Sequence, residues 1–218
     1  MDDDASRAGP RWGGLSQHRQ SRFVVAWSFR RSEEAAAPEV VGKTRQRTAG
    51  EAGIVWVSDG SASYEKWVGR IYRDPVRTGK VGRPRLARTP GVGLTQVIKT
   101  RKGRRVVDVQ VRHCFGPEPE LAHTVHVERR NGVLRDRLAC LTRKTHAFAK
   151  QEVTWDAAVG LSLFEGNWMR AHSALRVKEA GLPDGRRYRR RSPAMAIGLA
   201  EHVWSWTEFL TYSAPISA

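Results

Sequence analysis

The sequence predicts an α/β fold in which a mixed or parallel sheet is flanked by helices. Segments with the composition of buried strands alternate along the chain with segments whose apolar residues recur at helical spacing. Hydrophobic residues make up 40% of the 218 residues, which is enough for the core of one ordinary domain. No apolar run reaches the ~18 residues that a membrane-spanning helix needs, so no membrane partner is expected.

The first strand and helix are predicted at residues 21–48. Residues 21–29, SRFVVAWSF, are rich in β-branched and aromatic side chains, which is typical of a buried strand. Ser32 then offers a helix N-cap, and two acidic residues follow it in the first turn. We expect this helix to continue to Thr48 and to stop at Gly50.

A second strand and helix place an aspartate at the end of a strand. The segment GIVWVSDG, residues 53–60, predicts a short strand that ends at Asp59. Residues 61–72 carry apolar side chains at helical spacing and predict a helix. Asp59 is therefore expected where the carboxyl end of a strand meets the start of a helix.

The later segments differ in composition, and each composition predicts an element. Arg, Gly and Pro together disfavour regular structure, alternating apolar residues favour a strand, and apolar residues three or four apart favour a helix. The predicted elements are a basic loop at 73–91, a strand at 104–116, helices at 123–150 and 154–172, a charged linker at 181–193 and a short helix or lid at 194–212.

The net charge of +16 indicates a polyanionic partner. Arginine outnumbers lysine 30 to 8, and a GC-rich coding sequence could produce that excess without any functional demand. The arrangement of the charge favours function, because residues 66–112 contain fourteen Lys or Arg and only two acids, whereas residues 32–59 are acidic or balanced. We therefore expect the chain to bind nucleic acid.

The N-terminus and the cysteines indicate a cytoplasmic protein. The first ten residues, MDDDASRAGP, are acidic where a signal peptide would be basic and then apolar. Cys114 and Cys140 lie far apart and form no metal-binding or disulfide pattern, so both are expected to behave as small hydrophobic residues.

One carboxylate stands among the arginines of the helix predicted at 123–150. The spacing of four, three and four puts Thr124, Glu128, Asn131 and Arg135 on one face, while Arg129, Arg130 and Arg137 spread over the flanking faces. Glu128 could form surface ion pairs, each contributing roughly 0–1 kcal/mol. It could instead bind a divalent cation while the neighbouring arginines hold the phosphates of a substrate.

Asp59 strengthens the second interpretation. A strand-end aspartate and a helical glutamate can converge at the edge of an α/β sheet and supply hard oxygen ligands to Mg²⁺. An aspartate followed by glycine is also an ordinary turn former or helix cap. The pair therefore predicts a metal site, with a local structural role for Asp59 as the alternative.

The segment HVERRNGVLRDRLACLTRKTHAFAK, residues 126–150, resembles the block around the catalytic glutamate of DDE-class insertion-sequence transposases of the insertion sequence one-like group. Thr124 and Val125 stand slightly out of register with that pattern, and Ala149 replaces the usual serine. The matching residues are Glu128, Arg129, Asn131, Leu134, Arg135, Arg143, Lys144, Thr145, Phe148 and Lys150.

Three further segments carry the same resemblance, which covers most of the chain from Ser21 onward. VWVSDGSASYEKWV resembles the strand of the second catalytic aspartate and the helix that follows it. NWMRAHSALR resembles a segment of these transposases that usually has a proline at the position of Ala171. RSPAMAIGLAEHVWSWTEFL resembles the C-terminal segment of these transposases.

The resemblance implies an RNase H-like (retroviral-integrase-like) catalytic domain at 21–180, after an irregular N-terminus at 1–20 and before a basic linker at 181–193 and a C-terminal helix or lid at 194–218. Asp59 and Glu128 would be catalytic residues and metal ligands in a two-metal site for Mg²⁺ or Mn²⁺. The partner would be double-stranded DNA. The enzyme would nick the ends of the element and join them to target DNA by strand transfer. The residues implied to contact DNA are Arg129, Arg130, Asn131, Arg135, Arg137, Arg143, Lys144, Thr145, Lys150 and Arg170.

The chain departs from the family at its N-terminus. The family's first catalytic aspartate lies on a strand upstream of the one predicted at 21–29, and the only acids there, Asp2, Asp3 and Asp4, lack strand character around them. The first strand and the DNA-recognition module are therefore expected to be missing, as in a truncated member or one whose start was placed too late.

This departure leaves three functions open. A truncated transposase would have weak activity or none, would associate with the nucleoid, and could form homo-oligomers through an unpaired sheet edge. A remnant that binds DNA without chemistry is the alternative. A basic RNA-binding or ribosome-associated protein would explain the charge but not the setting of Asp59 and Glu128.

Overall fold

The computed structural model describes residues 12–51, 53–77, 79, 82–142, 146, 151–182 and 185–213. These residues form two compact units. The sheet unit comprises residues 12–16 and 25–132, and the C-terminal unit comprises residues 17–24 and 133–213.

Nine strands and six α-helices are present in the described part of the chain. The strands are β1 (Trp12–Gln17), β2 (Val24–Arg30), β3 (Ile54–Asp59), β4 (Arg73–Val76), β5 (Arg85–Arg88), β6 (Val92–Lys102), β7 (Arg105–Phe115), β8 (His172–Lys178) and β9 (Tyr188–Arg191). The helices are α1 (Glu33–Arg47), α2 (Ala62–Ile71), α3 (Val125–Arg137), α4 (Glu152–Phe164), α5 (Pro193–Ala196) and α6 (Trp206–Thr211). A 3₁₀ turn (Ala139–Leu141) follows α3, and a π-helical turn (Glu165–Met169) continues α4.

The centre of the sheet unit is a mixed three-stranded sheet in the order β3–β6–β7. Strand β3 runs parallel to β6, and β7 pairs with β6 in the antiparallel direction. The first six residues of β6, Val92–Val97, are buried, as expected for a central strand that is covered on both faces. The chain is therefore mixed α/β with a mixed sheet flanked by helices, which confirms the predicted fold class at this level.

Helix α1 begins as the sequence predicts and packs through a narrow buried face. The Ser32 side chain accepts a hydrogen bond from the backbone N–H of Ala35 at 3.2 Å, which caps the first turn. The buried residues of α1 are Ala36, Ala37, Val40, Val41 and Thr44, which recur at helical spacing.

Helices α1 and α2 cover one face of the sheet. Val41 of α1 and Val68 of α2 form the core with Trp56 of β3 and Leu94 of β6. Burying an aliphatic side chain of this size stabilises the fold by roughly 1.5–3 kcal/mol. This helical layer positions the carboxyl end of β3.

The same two helices also pack on the β1–β2 hairpin. Thr44 of α1 and Ser16 of β1 are joined by a hydrogen bond of 2.6 Å between their hydroxyl groups. A side chain at Gly14 of β1 would meet Tyr64 of α2 at 2.9 Å. In the part of the chain that the structure covers, no ladder joins β1–β2 to β3–β6–β7, so one helical layer covers two separate sheets.

Two glycines bring the ends of β6 and β7 into backbone contact. Gly116 has a φ of +73°, and a Cβ there would lie 2.1 Å from the carbonyl oxygen of Val92. A Cβ at Gly93 would lie 2.1 Å from the carbonyl oxygen of Pro117. The close approach therefore requires glycine at both positions.

The C-terminal unit contains a side chain that acts as a strand partner. Asn167, in the π-helical turn, accepts a hydrogen bond from the N–H of Val24 at 2.9 Å and donates one to its C=O at 3.0 Å. Asn167 is only 5% exposed. Its amide thus satisfies both backbone groups at the start of β2, as a neighbouring strand would.

Aromatic residues form the core of the C-terminal unit. The ring of Trp168 stacks on Phe164 with centroids 5.6 Å apart and contacts Trp204 at 5.0 Å. Phe209 of α6 packs on Phe164 at 4.4 Å. These contacts hold the C-terminal segment on α4.

Several predicted elements differ from those in the structure. The basic loop at 73–91 contains the short β4–β5 hairpin, and the linker at 181–193 contains β9, which pairs with β8. The helix predicted at 123–150 ends at Arg137, and the segment 194–212 holds two short helices rather than one. In both hairpins, pairing with a second strand supplies the order that local composition does not predict.

No helix among the described residues is long and apolar enough to cross a bilayer.

Candidate functional site

Asp59 lies at the carboxyl end of β3, as the sequence predicts. Its carboxylate accepts a hydrogen bond from the backbone N–H of Ser61 at 3.3 Å, and Ser61 is the N-cap of α2. The aspartate thus stabilises the local turn, which is the alternative to metal binding that the sequence predicts for it. Its side chain is nevertheless exposed at the end of the strand and can bind a ligand.

A tyrosine and a second carboxylate lie close to Asp59. Burial, together with the negative charges of Asp59 and Glu33, raises the pKa of Tyr64 to about 12. Glu33, in the first turn of α1, accepts a hydrogen bond from the Ser61 hydroxyl. Sequence patterns alone did not identify Glu33, because its proximity to Asp59 arises from the packing of α1 against α2.

The register of the sheet places Lys99 on the same face as Asp59. Asp59 is the partner of Val97 in the parallel ladder, and Lys99 follows Val97 by two residues, so the three side chains share one face. Strand and residue spacings put the Cα atoms of Asp59 and Lys99 about 8 Å apart. Lys99 was not predicted as part of the site.

Glu128 meets the sheet at Lys99. It lies in the first turn of α3, where it forms an ion pair with the Lys99 ammonium and accepts a hydrogen bond from the Thr124 hydroxyl at 2.5 Å. The hydrogen bond from Lys99 lowers the pKa of Glu128, and the hydrogen bond from Thr124 lowers it to a smaller extent. Glu128 is therefore an anion at neutral pH.

Asp59 and Glu128 are the two carboxylates predicted to bind metal. Asp59 lies on the same sheet face as Lys99, and Glu128 of α3 contacts that lysine. Mg²⁺ commonly uses one or two carboxylates together with water and substrate phosphates. Lys99 already neutralises Glu128 through Oε1. No group of three or more His, Cys, Asp or Glu side chains with metal-binding geometry occurs within the described ranges.

The predicted DNA-contacting residues at the start of α3 have different exposures. Arg129 is exposed and Asn131 is half-buried. Arg130 is only 8% exposed, so the protein covers most of this residue. The contact of Arg130 with DNA stays a prediction.

The remaining described residues predicted to contact DNA belong to the C-terminal unit. Glu165 forms ion pairs with Arg137 at 3.0 Å and with Arg170 at 2.8 Å, which brings these two arginines together. Arg135 is exposed on the last turns of α3. Arg143, Lys144, Thr145 and Lys150 lie outside the described residues.

Comparison with protein-family models, with curated proteins and with solved structures gives no match.

Proposed function

We propose that the chain is a transposase catalytic domain of RNase H-like fold that nicks duplex DNA and joins the freed 3′-hydroxyl to a target strand. The observation that carries this proposal is the placement of Asp59 and of the Lys99–Glu128 pair on one face, at the same end of the mixed sheet. The arginines on α3 support a phosphate-rich substrate, and association with the nucleoid follows from such a function.

The fold supports the same proposal. An RNase H-like sheet is mixed and carries its carboxylates at strand ends and on a following helix, which is the arrangement of Asp59 and Glu128. The β1–β2 hairpin and the β3–β6 parallel pair are covered by the shared layer of α1 and α2.

In the proposed reaction, residues of this chain bind the scissile phosphate and stabilise its negative charge. A water oxygen attacks phosphorus, the bond from phosphorus to the 3′-oxygen breaks, and that oxygen leaves as a 3′-hydroxyl. Mg²⁺ or Mn²⁺ on Asp59 and Glu128 would act as a Lewis acid and lower the pKa of the attacking water. Lys99, which competes for Glu128, can pair instead with the phosphate, and Arg129 can hold a neighbouring one.

A plasmid-nicking assay tests this function. Supercoiled plasmid is incubated with the protein in Mg²⁺ or Mn²⁺, in Ca²⁺, and in a chelator, and the nicked product is quantified on a gel. We expect slow nicking that requires Mg²⁺ or Mn²⁺, because two carboxylates provide an incomplete metal site. Nicking that persists in chelator would contradict the proposed chemistry.

The second candidate is a DNA-binding protein without chemistry. It is favoured by the contacts of Glu128, whose Oε1 already receives hydrogen bonds from Lys99 and Thr124. The absence of nicking at any protein concentration, combined with tight DNA binding, would support this candidate.

Both candidates predict salt-sensitive binding to duplex DNA with little sequence preference. If the basic surface contacts five or more phosphates, the slope of log affinity against log salt is about −4 or steeper. Fluorescence anisotropy with two unrelated duplexes, from low to moderate salt, measures this slope. An affinity that does not change with salt would remove the electrostatic basis of the proposal.

A further inference from the structure

The β8–β9 hairpin has two chemically different faces. Lys178 is paired with Tyr188, so their side chains lie on the same face, and alternation along β9 places Arg190 there as well. Arg176 lies on this face too, because its guanidinium contacts the Tyr188 ring. The paired Val177 and Arg189 lie on the other face. Composition alone had predicted only a charged linker for residues 181–193.

Part of the hairpin packs on the protein. Leu175 of β8 is buried, and α5 contacts both strands of the hairpin. Arg191 donates from Nε to the carbonyl oxygen of Leu175 at 2.8 Å, and Arg189 forms an ion pair with Glu179 at 2.8 Å. Arg189 and Arg191, on the face opposite Lys178 and Tyr188, therefore have their partners within the hairpin.

The outer face is cationic and exposed. Arg176, Lys178, Tyr188 and Arg190 are all exposed to solvent. The guanidinium of Arg176 stacks over the Tyr188 ring at 4.5 Å, which restricts both side chains. Among the described residues of the hairpin, no acidic side chain lies on this face.

We propose that this outer face binds the phosphate backbone of duplex DNA, a contact separate from the site at Asp59 and Glu128. The inference rests on the proposed function in taking DNA as the partner. Three cations within one short hairpin match a polyanion, and Arg176 and Arg190 can each bind a phosphate in a bidentate manner. The Tyr188 hydroxyl, beside these cations, can donate a hydrogen bond to a phosphate oxygen.

Matched triple variants of the full chain test the proposal. The first combines Arg176→Gln, Lys178→Gln and Arg190→Gln. The control combines Arg31→Gln, Lys43→Gln and Arg47→Gln, which removes the same charge from surface positions of the sheet unit outside the basic segment 66–112. Affinity for a 30-base-pair duplex is measured across a salt series, and thermal unfolding verifies that both variants are folded.

The outer-face variant is expected to lose about 10- to 100-fold in affinity, and its salt slope is expected to become shallower by roughly 2 to 3. The control is expected to lose less than about threefold, since it changes only the long-range field. Equal losses in the two variants, with the unmodified protein binding DNA, would overturn the hairpin assignment alone. Absence of DNA binding by the unmodified protein would overturn the proposed function as well.

The substitution Tyr188→Phe distinguishes binding of the duplex backbone from stacking on the bases of single-stranded DNA. It keeps the ring and its contact with Arg176 but removes the hydroxyl, so duplex affinity is expected to fall by about 3- to 10-fold, the equivalent of one hydrogen bond. Tighter binding of the single strand than of the duplex, with no effect of Tyr188→Phe, would indicate base stacking and overturn the duplex assignment.

Discussion

The substitution Glu128→Gln is expected to reduce Mg²⁺-dependent nicking by about 100-fold or more, while duplex affinity changes by less than about threefold. A carboxylate that holds a metal at the scissile phosphate supports several kcal/mol of charge stabilisation, and each 1.36 kcal/mol corresponds to a tenfold change in rate. Binding is nearly unaffected because the variant removes one negative charge from a basic surface. Single-turnover nicking and fluorescence anisotropy on the same preparations measure the two effects.

Glu65→Gln is the matched control for this prediction. Glu65 of α2 forms an ion pair with Arg112 of β7 at 2.6 Å, on the opposite face of the same sheet from Lys99. This variant is expected to nick at the rate of the unmodified protein. If Glu128→Gln nicks as well as Glu65→Gln, Glu128 is not a metal ligand and α3 is only a binding face.

Replacing Gly116 by alanine is expected to destabilise the fold by on the order of 4 kcal/mol or more. The added Cβ would lie 2.1 Å from the carbonyl oxygen of Val92 and 2.7 Å from the Cα of Gly93, so the backbones of β6 and β7 would have to separate. The φ of +73° adds the strain of a left-handed conformation. Urea unfolding followed by circular dichroism measures the loss.

Gly103→Ala isolates the contribution of the backbone conformation. Gly103 turns the chain between β6 and β7 with a φ of +62°, and a Cβ there meets nothing within 4 Å. Its substitution is expected to cost only about 1–2 kcal/mol. Equal losses at Gly103 and Gly116 would show that the close approach of the two strands does not determine stability.

Elements with strong local signals were predicted well from the sequence. The N-cap at Ser32, the acids that follow it and the β-branched run before it predict the β2–α1 pair without tertiary information. Asp59 was placed correctly at a strand end for the same reason.

The central strand and the C-terminal hairpin were not predicted. Strand β6 is rich in β-branched residues, but its apolar residues do not alternate and Gly93 interrupts the run, so the segment was left unassigned. Strands β8 and β9 become regular only through their mutual pairing. Both cases depend on contacts that a local sequence window does not include.

At the candidate site, too, the local element was predicted and its long-range contacts were not. The helix that carries Glu128 was predicted, but the Lys99 ammonium reaches it from β6, 29 residues away in sequence. The burial of Arg130 likewise depends on the side of α3 that faces the interior, and arginine content cannot predict that orientation. Charge composition therefore predicts a polyanionic partner but not which arginines the fold leaves at the surface.

The two hydrogen bonds between Asn167 and Val24 have a consequence for synthesis on the ribosome, because the two residues are 143 positions apart. At roughly 5–20 residues per second, translation reaches Asn167 about 7–29 s after Val24. During that interval the N–H and C=O at the start of β2 lack their native partner. The nascent β1–β2 hairpin therefore lacks this pair of hydrogen bonds until Asn167 has emerged from the ribosome.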